Sequence, residues 1–416
     1  MVPEGWRHAP IKLLCKSIID CVNKTAPVVD YETPYKMIRT TNVRHGKVDT
    51  DNVRYVEAET YKNWVRRGAP KKGDLIFTRE APVGEAGILD SDDSVFLGQR
   101  TMMYRADPSK SSNLFLFYSL QTRFCQKQIE DFSNGGTVAH MRVPDCGEII
   151  VRVPPLPEQE KIAKILSTWD RAIAVTEKLL KNSQQQKKAL MQQLLTGTKR
   201  FLGFGREWKE YRLEEIFTFK KGKSLSKAAV SNKGKNKCIL YGELYTRYSE
   251  VIKNVISYTN SHDGTKSVAG DVLIPSSTTT SGVDLANATA IMEDGVLLGG
   301  DINILRPNTG LVNSSFIAHL LTHIKKHDIA KRAQGITIIH LYGSDLKHLT
   351  VSLPELKAQE KISKILADTK HEIEILEQKL NCLRQEKRAL MQQLLTGKRR
   401  VKVDEEEISL EEAARA

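Results

Sequence analysis

The sequence lacks the features that mark several large protein classes. Its 416 residues include only six cysteines, and no two of them form a Cys-x-x-Cys pair, which argues against a disulfide framework and fits a reducing compartment. No apolar run approaches the ~18 residues of a membrane helix, and the first residues, MVPEGWRHAP, contain no apolar core of signal-peptide length. We therefore expect a cytoplasmic protein without membrane partners.

Motifs for the common DNA-directed reactions are also missing. An adenine methyltransferase would need a Gly-rich cofactor loop and an Asn-Pro-Pro-Tyr-like motif, but the only Pro-Pro pair is Pro154-Pro155. A nucleotide-driven motor would need GxxxxGK[ST], and Gly222-Lys223-Ser224 resembles the end of that motif. Phe217 occupies the position of its first glycine, so the match fails. Neither HExxH nor a convincing nuclease pattern occurs, and we predict no catalytic residue.

One histidine series could suggest a metal site. His319, His323 and His327 recur at every fourth position of a predicted helix and could bind zinc from one face. The first half of the chain has Tyr118, Thr122 and Gln126 at the matching positions, and no cysteine or carboxylate cluster completes the set. We therefore predict that the chain binds no metal.

The charge balance indicates a polyanionic partner. Lysine and arginine number 63 against 50 aspartate and glutamate residues, which gives a net charge of +13. A basic surface of this size is typical of proteins that bind nucleic acid, although a merely solvated surface is the alternative.

The chain contains an internal sequence repeat with two copies. The nonamer ALMQQLLTG occurs at 189–197 and again at 389–397, and LPEQEKIAKIL at 156–166 returns as LKAQEKISKIL at 356–366. Upstream, the copies share only a skeleton of Gly, Asp and apolar positions, such as LGQRTMMYR against LGGDINILR and KKGDLIF against VAGDVLI. A protein that docks the same partner twice and reads two different targets would keep one part constant and vary the other.

The constant part predicts a long helix. Residues 158–195 contain no glycine or proline, and apolar residues follow an alternating three-and-four spacing, interrupted by Thr176, Ser183 and Lys187, which is typical of a coiled coil. Gly197 and Gly397 are candidate C-caps. Two such helices would most simply pair antiparallel, and the alternative is that each packs only on its own domain. The predicted seam residues are Ile162, Leu166, Trp169, Ile173, Leu180, Ile362, Leu366, Ile373, Leu376 and Leu380.

The identity of the two nonamers exceeds what a helix seam requires. A shared docking surface for two copies of one partner would explain it. The predicted partner-docking residues are Leu190, Gln192, Gln193, Leu194, Leu390, Gln392, Gln393 and Leu394.

The variable part of each half predicts an α+β domain, a twisted sheet or barrel with helices on one side. Short β-type runs such as YKMIRTTNV, GDLIFTRE, CILYGELYT and GDVLIPSS alternate with turn residues, and each half has one apolar helical stretch, near 114–129 and 316–329. Side chains that can pair with base edges cluster at corresponding loops. The candidate DNA contacts are Arg39, Thr41, Asn42, Arg44, His45, Arg79, Gln99, Arg100, Thr137 and His140 in the first half, and Tyr241, Glu243, Tyr245, Thr246, Arg247, Ser276, Ser277, Thr278, Gln334, Thr337 and His340 in the second.

These motifs resemble the specificity subunit of a type I restriction-modification system, from Trp6 to about Arg400. The resemblance implies two recognition domains that each read half of a bipartite, asymmetric double-stranded DNA site. It also implies helices that set the spacing and dock two modification subunits, with restriction subunits joining that core in a bacterium or archaeon. The chain itself would bind no cofactor, because S-adenosylmethionine, ATP and Mg²⁺ belong to the partners. The implied recognition domains are residues 1–154 and 199–354, and the implied spacer helices are residues 155–198 and 355–398. An acidic tail follows at 399–416.

Two other functions are alternatives to this one. A methyltransferase fused to its specificity region is disfavoured by the missing cofactor motifs. A coiled-coil adaptor without sequence reading would bind all duplexes equally.

Overall fold

The computed structural model describes residues 2–133, 139–204 and 207–403. The chain forms two compact units, the first comprising Met1–Glu177 with Lys379–Ala416 and the second Lys178–Gln378. Each unit therefore contains one variable region and parts of both long helices. No helix in the described ranges is long and apolar enough to cross a membrane.

The first unit is built from eleven strands and four short helices. The strands are Arg7–Pro10 (β1), Cys15–Asp20 (β2), Tyr35–Ile38 (β3), Val43–Arg44 (β4), Gly46–Val48 (β5), Arg54–Tyr55 (β6), Leu75–Arg79 (β7), Val83–Ile88 (β8), Ser94–Leu97 (β9), Thr101–Ala106 (β10) and Ile150–Val153 (β11). The helices are Ala58–Trp64 (α1), Asn113–Leu120 (α2), Arg123–Ser133 (α3) and Val143–Gly147 (α4), and the long helix Leu156–Leu195 (α5) follows.

The second unit repeats this order with more interruptions. Its strands are Lys209–Arg212 (β12), Phe217–Lys221 (β13), Val230–Ser231 (β14), Asn236–Ile239 (β15), Val251–Ile252 (β16), Ser257–Thr259 (β17), Thr265–Lys266 (β18), Val272–Pro275 (β19), Ser277–Thr278 (β20), Thr289–Ile291 (β21), Leu297–Leu298 (β22), Ile302–Pro307 (β23), Ile339–His340 (β24) and Thr350–Leu353 (β25). Its helices are Leu213–Ile216 (α6), Glu243–Thr246 (α7), Ser314–His319 (α8), Lys326–Ala330 (α9), Gly343–Lys347 (α10) and the long Leu356–Leu394 (α11).

The sheets show that the sequence repeat is a structural repeat. The main sheet has the order β2-β10-β7-β8-β5-β4 in the first unit and β13-β23-β19-β21-β16 in the second. In both sheets the central strands pair antiparallel, β10 with β7 and β23 with β19. A further strand pairs parallel to its neighbour, β5 with β8 and β16 with β21. A parallel pair, β3 with β9 and β15 with β22, lies in a separate small sheet. Among the described strands these sheets are open, which confirms the α+β prediction in its twisted-sheet form.

The shared Gly-Asp motif has a structural role. Asp74 precedes β7, and its buried carboxylate accepts two hydrogen bonds from Arg105 at 2.9 and 2.6 Å. Asp271 precedes β19 and receives the same paired contact from Arg306, at 2.8 and 2.7 Å. A bidentate, charge-assisted pair of this kind fixes two strands with defined geometry. The skeleton that both halves share is therefore the framework of the sheet.

The long helices are attached to the sheets by a buried glutamine. Gln159 of α5 accepts a hydrogen bond from Ser111 and donates to the carbonyls of Lys110 and Pro154, all within 3.0 Å. Gln359 of α11 makes the equivalent contacts with Asn313, Leu311 and Pro354. Gln159 and Gln359 are thus the same in both copies because each holds its helix to its domain.

Helices α5 and α11 pair antiparallel, as the sequence predicts. In the first unit, Asp170 contacts Lys387 and Glu177 contacts Arg384. Residue numbers in α11 therefore decrease as those in α5 increase. In the second unit, Ser183 lies 3.2 Å from Glu372. Both helices end as expected, since Gly197 and Gly397 adopt a φ of +71°, which a side chain would strain.

The long helices show both of the arrangements that the sequence leaves open, because they pair with each other and also pack on the domains. Ile162 and Leu166 are buried in the core of the first unit together with Leu394 and Leu395 of α11, so the helix ends pack on the domain and on each other. The polar residues Thr176 and Ser183, which interrupt the apolar pattern, are also buried. Of the other predicted seam residues, Ile362, Leu366 and Leu380 are buried, and Trp169, Ile173, Leu180, Ile373 and Leu376 are half-buried.

Two predicted elements are divided in the structure. The run CILYGELYT is a strand only to Ile239, because Glu243 accepts a hydrogen bond from the Leu240 amide and starts helix α7. The apolar stretch near 114–129 forms two helices, since the Thr122 hydroxyl accepts from the Cys125 amide and begins a second one. In the second unit, a π-helical turn at Leu320–Ile324 separates α8 from α9.

Candidate nucleic-acid interface

Two turns of each unit come together at the end of the parallel strand pair, β3 with β9 or β15 with β22. In the first unit, the turn after β3 meets the β9–β10 turn, where the Gly98 amide donates to the Ile38 carbonyl at 2.8 Å. In the second unit, the Gly299 amide donates to the Ile239 carbonyl at 2.9 Å. The residue that ends this turn, Arg100 or Asp301, has a positive φ of 69° or 60°. The two units thus share one backbone arrangement, called the cradle below. It consists of the turn after β3 and the β9–β10 turn in the first unit, and of the turn after β15 and the β22–β23 turn in the second. The side chains on the cradle differ between the units.

In the first unit this cradle is basic. It forms a cleft of about 270 Å³ that contains the predicted contacts Arg39, Thr41, Gln99 and Arg100. Arg100 is half exposed and pairs with Glu80 at 3.1 Å. Within the described part of the chain the buried Nε of Arg39 has no hydrogen-bond partner, so it is available to an acceptor that enters the cleft. The cleft also contains cationic residues that the sequence reasoning missed, Lys24 and Arg54.

Other predicted contacts of the first unit shape the cleft from the interior. The Asn42 side chain accepts from the Arg39 amide at 3.0 Å and donates to the Asn52 carbonyl at 2.8 Å. Arg79 is 7% exposed, and its guanidinium is held by Asp20 at 3.1 Å and by the Met141 carbonyl at 3.2 Å. These hydrogen bonds hold both side chains inside the unit, where they position the turns that line the cleft.

Arg44 and His45 lie apart from that cleft. The Arg44 guanidinium donates to the carbonyls of Thr40 and Val43, which fixes the turn. His45 is exposed, and both residues line a second cleft of about 790 Å³ together with Asp170 and Lys387 of the long helices. The structure thus separates the predicted loop into a sheet-facing part and a helix-facing part.

In the second unit the cradle is aromatic. Tyr241, Tyr245, Thr246 and Arg247 line a cleft of about 830 Å³ with Asp301 at its edge. The two tyrosine rings lie 6.4 Å apart, and burial raises the pKa of Tyr245, so that its phenol stays protonated. Base stacking and hydroxyl donation are therefore available here, beside one exposed arginine.

Glu243 is the exception among the predicted contacts of this cleft. Its side chain is largely buried and accepts hydrogen bonds from the Leu240 amide and the Ser257 hydroxyl, while Arg247 lies 3.4 Å away. These contacts hold the buried carboxylate in place, so Glu243 organises the cleft from its interior.

A second contact region follows β19. Ser276, Ser277 and Thr278 are buried, and Ser277 pairs with His340 across the β20–β24 ladder. The Gln334 and His340 backbones exchange two hydrogen bonds, which closes a hairpin with Thr337 exposed at its tip. In the first unit, His140 is bridged to Glu80, with Nδ1 3.3 Å from its carboxylate, and Thr137 lies outside the described residues.

The predicted partner-docking residues divide by exposure. Leu194 and Leu394 are only 2% exposed and belong to the cores of the second and first units, respectively. Leu190 and Leu390 pack against the same cores. Leu194 and Leu394 are therefore enclosed by packing within their own units, whereas Leu190 and Leu390 remain partly exposed. The exposed residues are Gln192, Gln193, Gln392 and Gln393.

Comparison with known proteins identifies both halves. The family model described as type I restriction modification DNA specificity domain matches residues 24–183 and again 205–385. A protein of Methanocaldococcus jannaschii, named as specificity subunit of the type I restriction enzyme MjaX, is 25% identical over 96% of this chain and 95% of its own. The type I restriction enzyme MjaVIII specificity subunit of the same organism is 23% identical over 82% and 85%.

Solved structures show the same fold. The type I restriction-modification system S subunit from M. genitalium has a TM-score of 0.60 at 18% identity, covering 94% of this chain and 96% of its own. A chain from a study of complex assembly and conformational transition of the type I system has a TM-score of 0.52 at 16% identity, covering 95% and 99%. Since the family model matches both halves, this chain belongs to the type I restriction-modification DNA specificity subunits.

Proposed function

We propose that each unit reads one half of a bipartite and asymmetric DNA site through its cradle. The observation that carries this proposal is the contrast between the two clefts. Their backbone turns share the same hydrogen bond and a similar positive φ, while the positions of Arg39, Gln99 and Arg100 in one are occupied by Leu240, Gly300 and Asp301 in the other, whose cleft adds Tyr241 and Tyr245. A constant frame with different donors and acceptors suits two different half-sites.

The chemistry of each cradle suggests what it reads. Arginine pairs bidentately with guanine, and glutamine pairs with adenine, each good contact contributing roughly 1–3 kcal/mol of discrimination. In the first unit Arg100 and Gln99 have this capacity. In the second unit Arg247 supplies the guanidinium, and Tyr241 and Tyr245 supply stacking surfaces and hydroxyls. Lys24 and Arg54, near the first cleft, are suited to phosphates, which provide affinity without sequence information.

The long helices would set the unread gap and carry the partners. A helix of this length spans roughly 60 Å at about 1.5 Å per residue. The two copies of the exposed glutamine pair, Gln192-Gln193 and Gln392-Gln393, are equivalent surfaces for two modification subunits. Restriction subunits would join that assembly. In this proposal S-adenosylmethionine, ATP and Mg²⁺ are bound by the partners, and this chain supplies no catalytic group.

Methylome sequencing tests the reading function. A host that expresses the modification subunits with this chain is compared with hosts carrying Arg100→Ala, Arg247→Ala or Lys127→Ala. We expect N6-methyladenine at one gapped motif, a relaxed base in one half-site for Arg100→Ala, and a relaxed base in the other half-site for Arg247→Ala. Lys127, an exposed residue of α3 paired with Asp131, is the matched control and leaves the motif unchanged. Equal methylation with and without the chain contradicts the proposal.

A further inference from the structure

Three side chains with metal-binding chemistry converge in the second unit, away from its cradle. They are Glu250, at the start of the segment that enters β16, His319, the last residue of α8, and His323 in the π-helical turn. One ligand atom from each lies within 4.8 Å of the other two. His327, which the sequence pattern placed on the same face, is not part of this cluster. The extra residue of the π turn rotates the helix between α8 and α9, and His327 lies on the later helix.

The spacing of the ligand atoms fits a small divalent cation. The Glu250 carboxylate lies 2.7 Å from Nε2 of His323 and 3.9 Å from Nδ1 of His319. Ligands at zinc distances in a tetrahedral site are about 3.3 Å apart. The observed values lie on either side of this figure, and all three ligand atoms lie within 4.8 Å of one another, so small side-chain rotations would bring them around one ion.

Histidine burial distinguishes this cluster from an ordinary ion pair. The side chain of His319 is only 5% exposed, and its Nδ1, which faces Glu250, has no hydrogen-bond partner among the described residues. A buried polar atom without a partner is uncommon and needs an explanation. A buried imidazole nitrogen in this position can present a lone pair to a cation.

We propose that Glu250, His319 and His323 bind one divalent d-block cation of the zinc type, with a fourth position open to solvent. Two histidines and a carboxylate are a common ligand set for zinc, and an unfilled fourth position is typical of sites that add water or an outside ligand. The open side faces a cleft of about 740 Å³, which contains Lys370 and His371 of α11. This site is independent of DNA reading and replaces the expectation from sequence that the chain binds no metal.

The bound ion would connect two elements of the second unit. Glu250 holds the segment before β16 against the helical turn that carries both histidines. A metal would replace the single hydrogen bond between Glu250 and His323 with three bonds. Lys370 lies in the same cleft and donates to the Ser249 hydroxyl, and its positive charge lowers the affinity for a cation.

A metal titration of the full-length purified chain tests this inference. The protein is treated with chelator, dialysed, and titrated with Co²⁺ and then Zn²⁺, with visible absorption reporting the coordination of Co²⁺ and a chromophoric competitor reporting the Zn²⁺ affinity. Wild-type protein, Glu250→Gln, His323→Asn and the control His327→Asn are compared. These substitutions preserve side-chain shape, and thermal unfolding of the metal-free forms checks that each variant folds.

We expect one equivalent of metal per chain with visible bands of low-symmetry Co²⁺. Glu250→Gln and His323→Asn should weaken Zn²⁺ binding at least about 10–100-fold, the loss seen when groups that merely support a ligand are removed. His327→Asn should bind as wild type. Zn²⁺ should raise the melting temperature of wild-type protein and of His327→Asn, but not of Glu250→Gln. Absence of stoichiometric binding overturns the inference, and so does a loss that is equal in all three variants.

Discussion

Arg105→Ala should open the first unit at its central strands. The Arg105 guanidinium holds the Asp74 carboxylate by two hydrogen bonds of 2.9 and 2.6 Å, and that carboxylate also accepts from the Lys71 amide at 2.7 Å. The Asp74 side chain is only 3% exposed. Removing the arginine leaves a buried negative charge with one amide donor, which is the most costly way to break an ion pair.

The size of the effect follows from this burial. Breaking a buried ion pair by deleting one partner costs about 3–5 kcal/mol. Because Arg105 is 27% exposed, water can reach part of the vacated space, and we expect the lower end, about 3 kcal/mol. At about 1.4 kcal/mol per factor of ten, this corresponds to a roughly 100-fold increase in the opening of β7 and β10.

Hydrogen exchange measured by mass spectrometry resolves this change within the full chain. Amides of β7 and β10 should exchange about 100-fold faster in Arg105→Ala, while those of β19 and β23 in the second unit keep their rates. Arg142→Ala is the matched control, since Arg142 also makes two hydrogen bonds with an aspartate, Asp145, but is 78% exposed. An exposed pair contributes about 0–1 kcal/mol, so this control should change little.

Two results would refute this reasoning. Exchange in Arg105→Ala that matches Arg142→Ala would show that the pair is no more important than a surface contact. Equal acceleration in both units would show that the effect is not confined to the sheet that contains the pair. A further check is Asp74→Asn combined with Arg105→Met, which removes both charges and should recover part of the lost protection.

Three further outcomes are expected. Leu380→Ala, at a buried seam position, should lower the free energy of unfolding by about 2–3 kcal/mol, whereas Ile375→Ala, at an exposed position of the same helix, should have little effect in the same denaturant titration. Gln359→Leu, which leaves three backbone groups unpaired, should cost at least about 2 kcal/mol and increase exchange at the start of α11. In native protein only Cys382 should react quickly with a thiol reagent at pH 8, because burial raises the pKa of the other five thiols. The hydrogen bond from Cys382 to Glu386 raises the pKa of this thiol, so Glu386→Gln should speed its alkylation, and an unchanged rate would contradict that assignment.

The repeat and the long helices could be predicted from sequence because they depend on local spacing. Three-and-four periodicity places residues such as Ile162 and Leu366 on one helix face, whatever the rest of the chain does. The end at Gly197 follows from the same local chemistry. The interruptions at Thr176 and Ser183 could not be interpreted locally, because their burial depends on the facing helix.

The candidate site was less accessible to sequence reasoning. Arg79 and Arg100 are chemically identical, but Asp20 of β2, which is separated from β7 by β10, holds Arg79 in the interior while Arg100 reaches the cleft. That difference depends on strand pairing across 59 residues. Glu243 could be mistaken for a free acceptor because its Ser257 partner is separated from it by a loop.

The metal cluster illustrates the same limit. The histidine spacing pointed to His319, His323 and His327, but the π turn changes which residues share a face. The carboxylate that completes the cluster, Glu250, comes from a strand-entry segment far earlier in the chain. A local helical pattern could not supply that partner.

The measurement that tests the central claim most directly is the methylome of a chimaera. In it, residues 209–353 of the second unit are replaced by residues 7–153 of the first, so that both cradles carry the Arg39, Gln99 and Arg100 set. If each unit reads its own half-site, the host with the modification subunits will methylate a gapped motif whose two halves are the same, in inverted or direct repeat. Methylation of the original asymmetric motif by this chimaera would contradict the account, because recognition would then not reside in the exchanged unit.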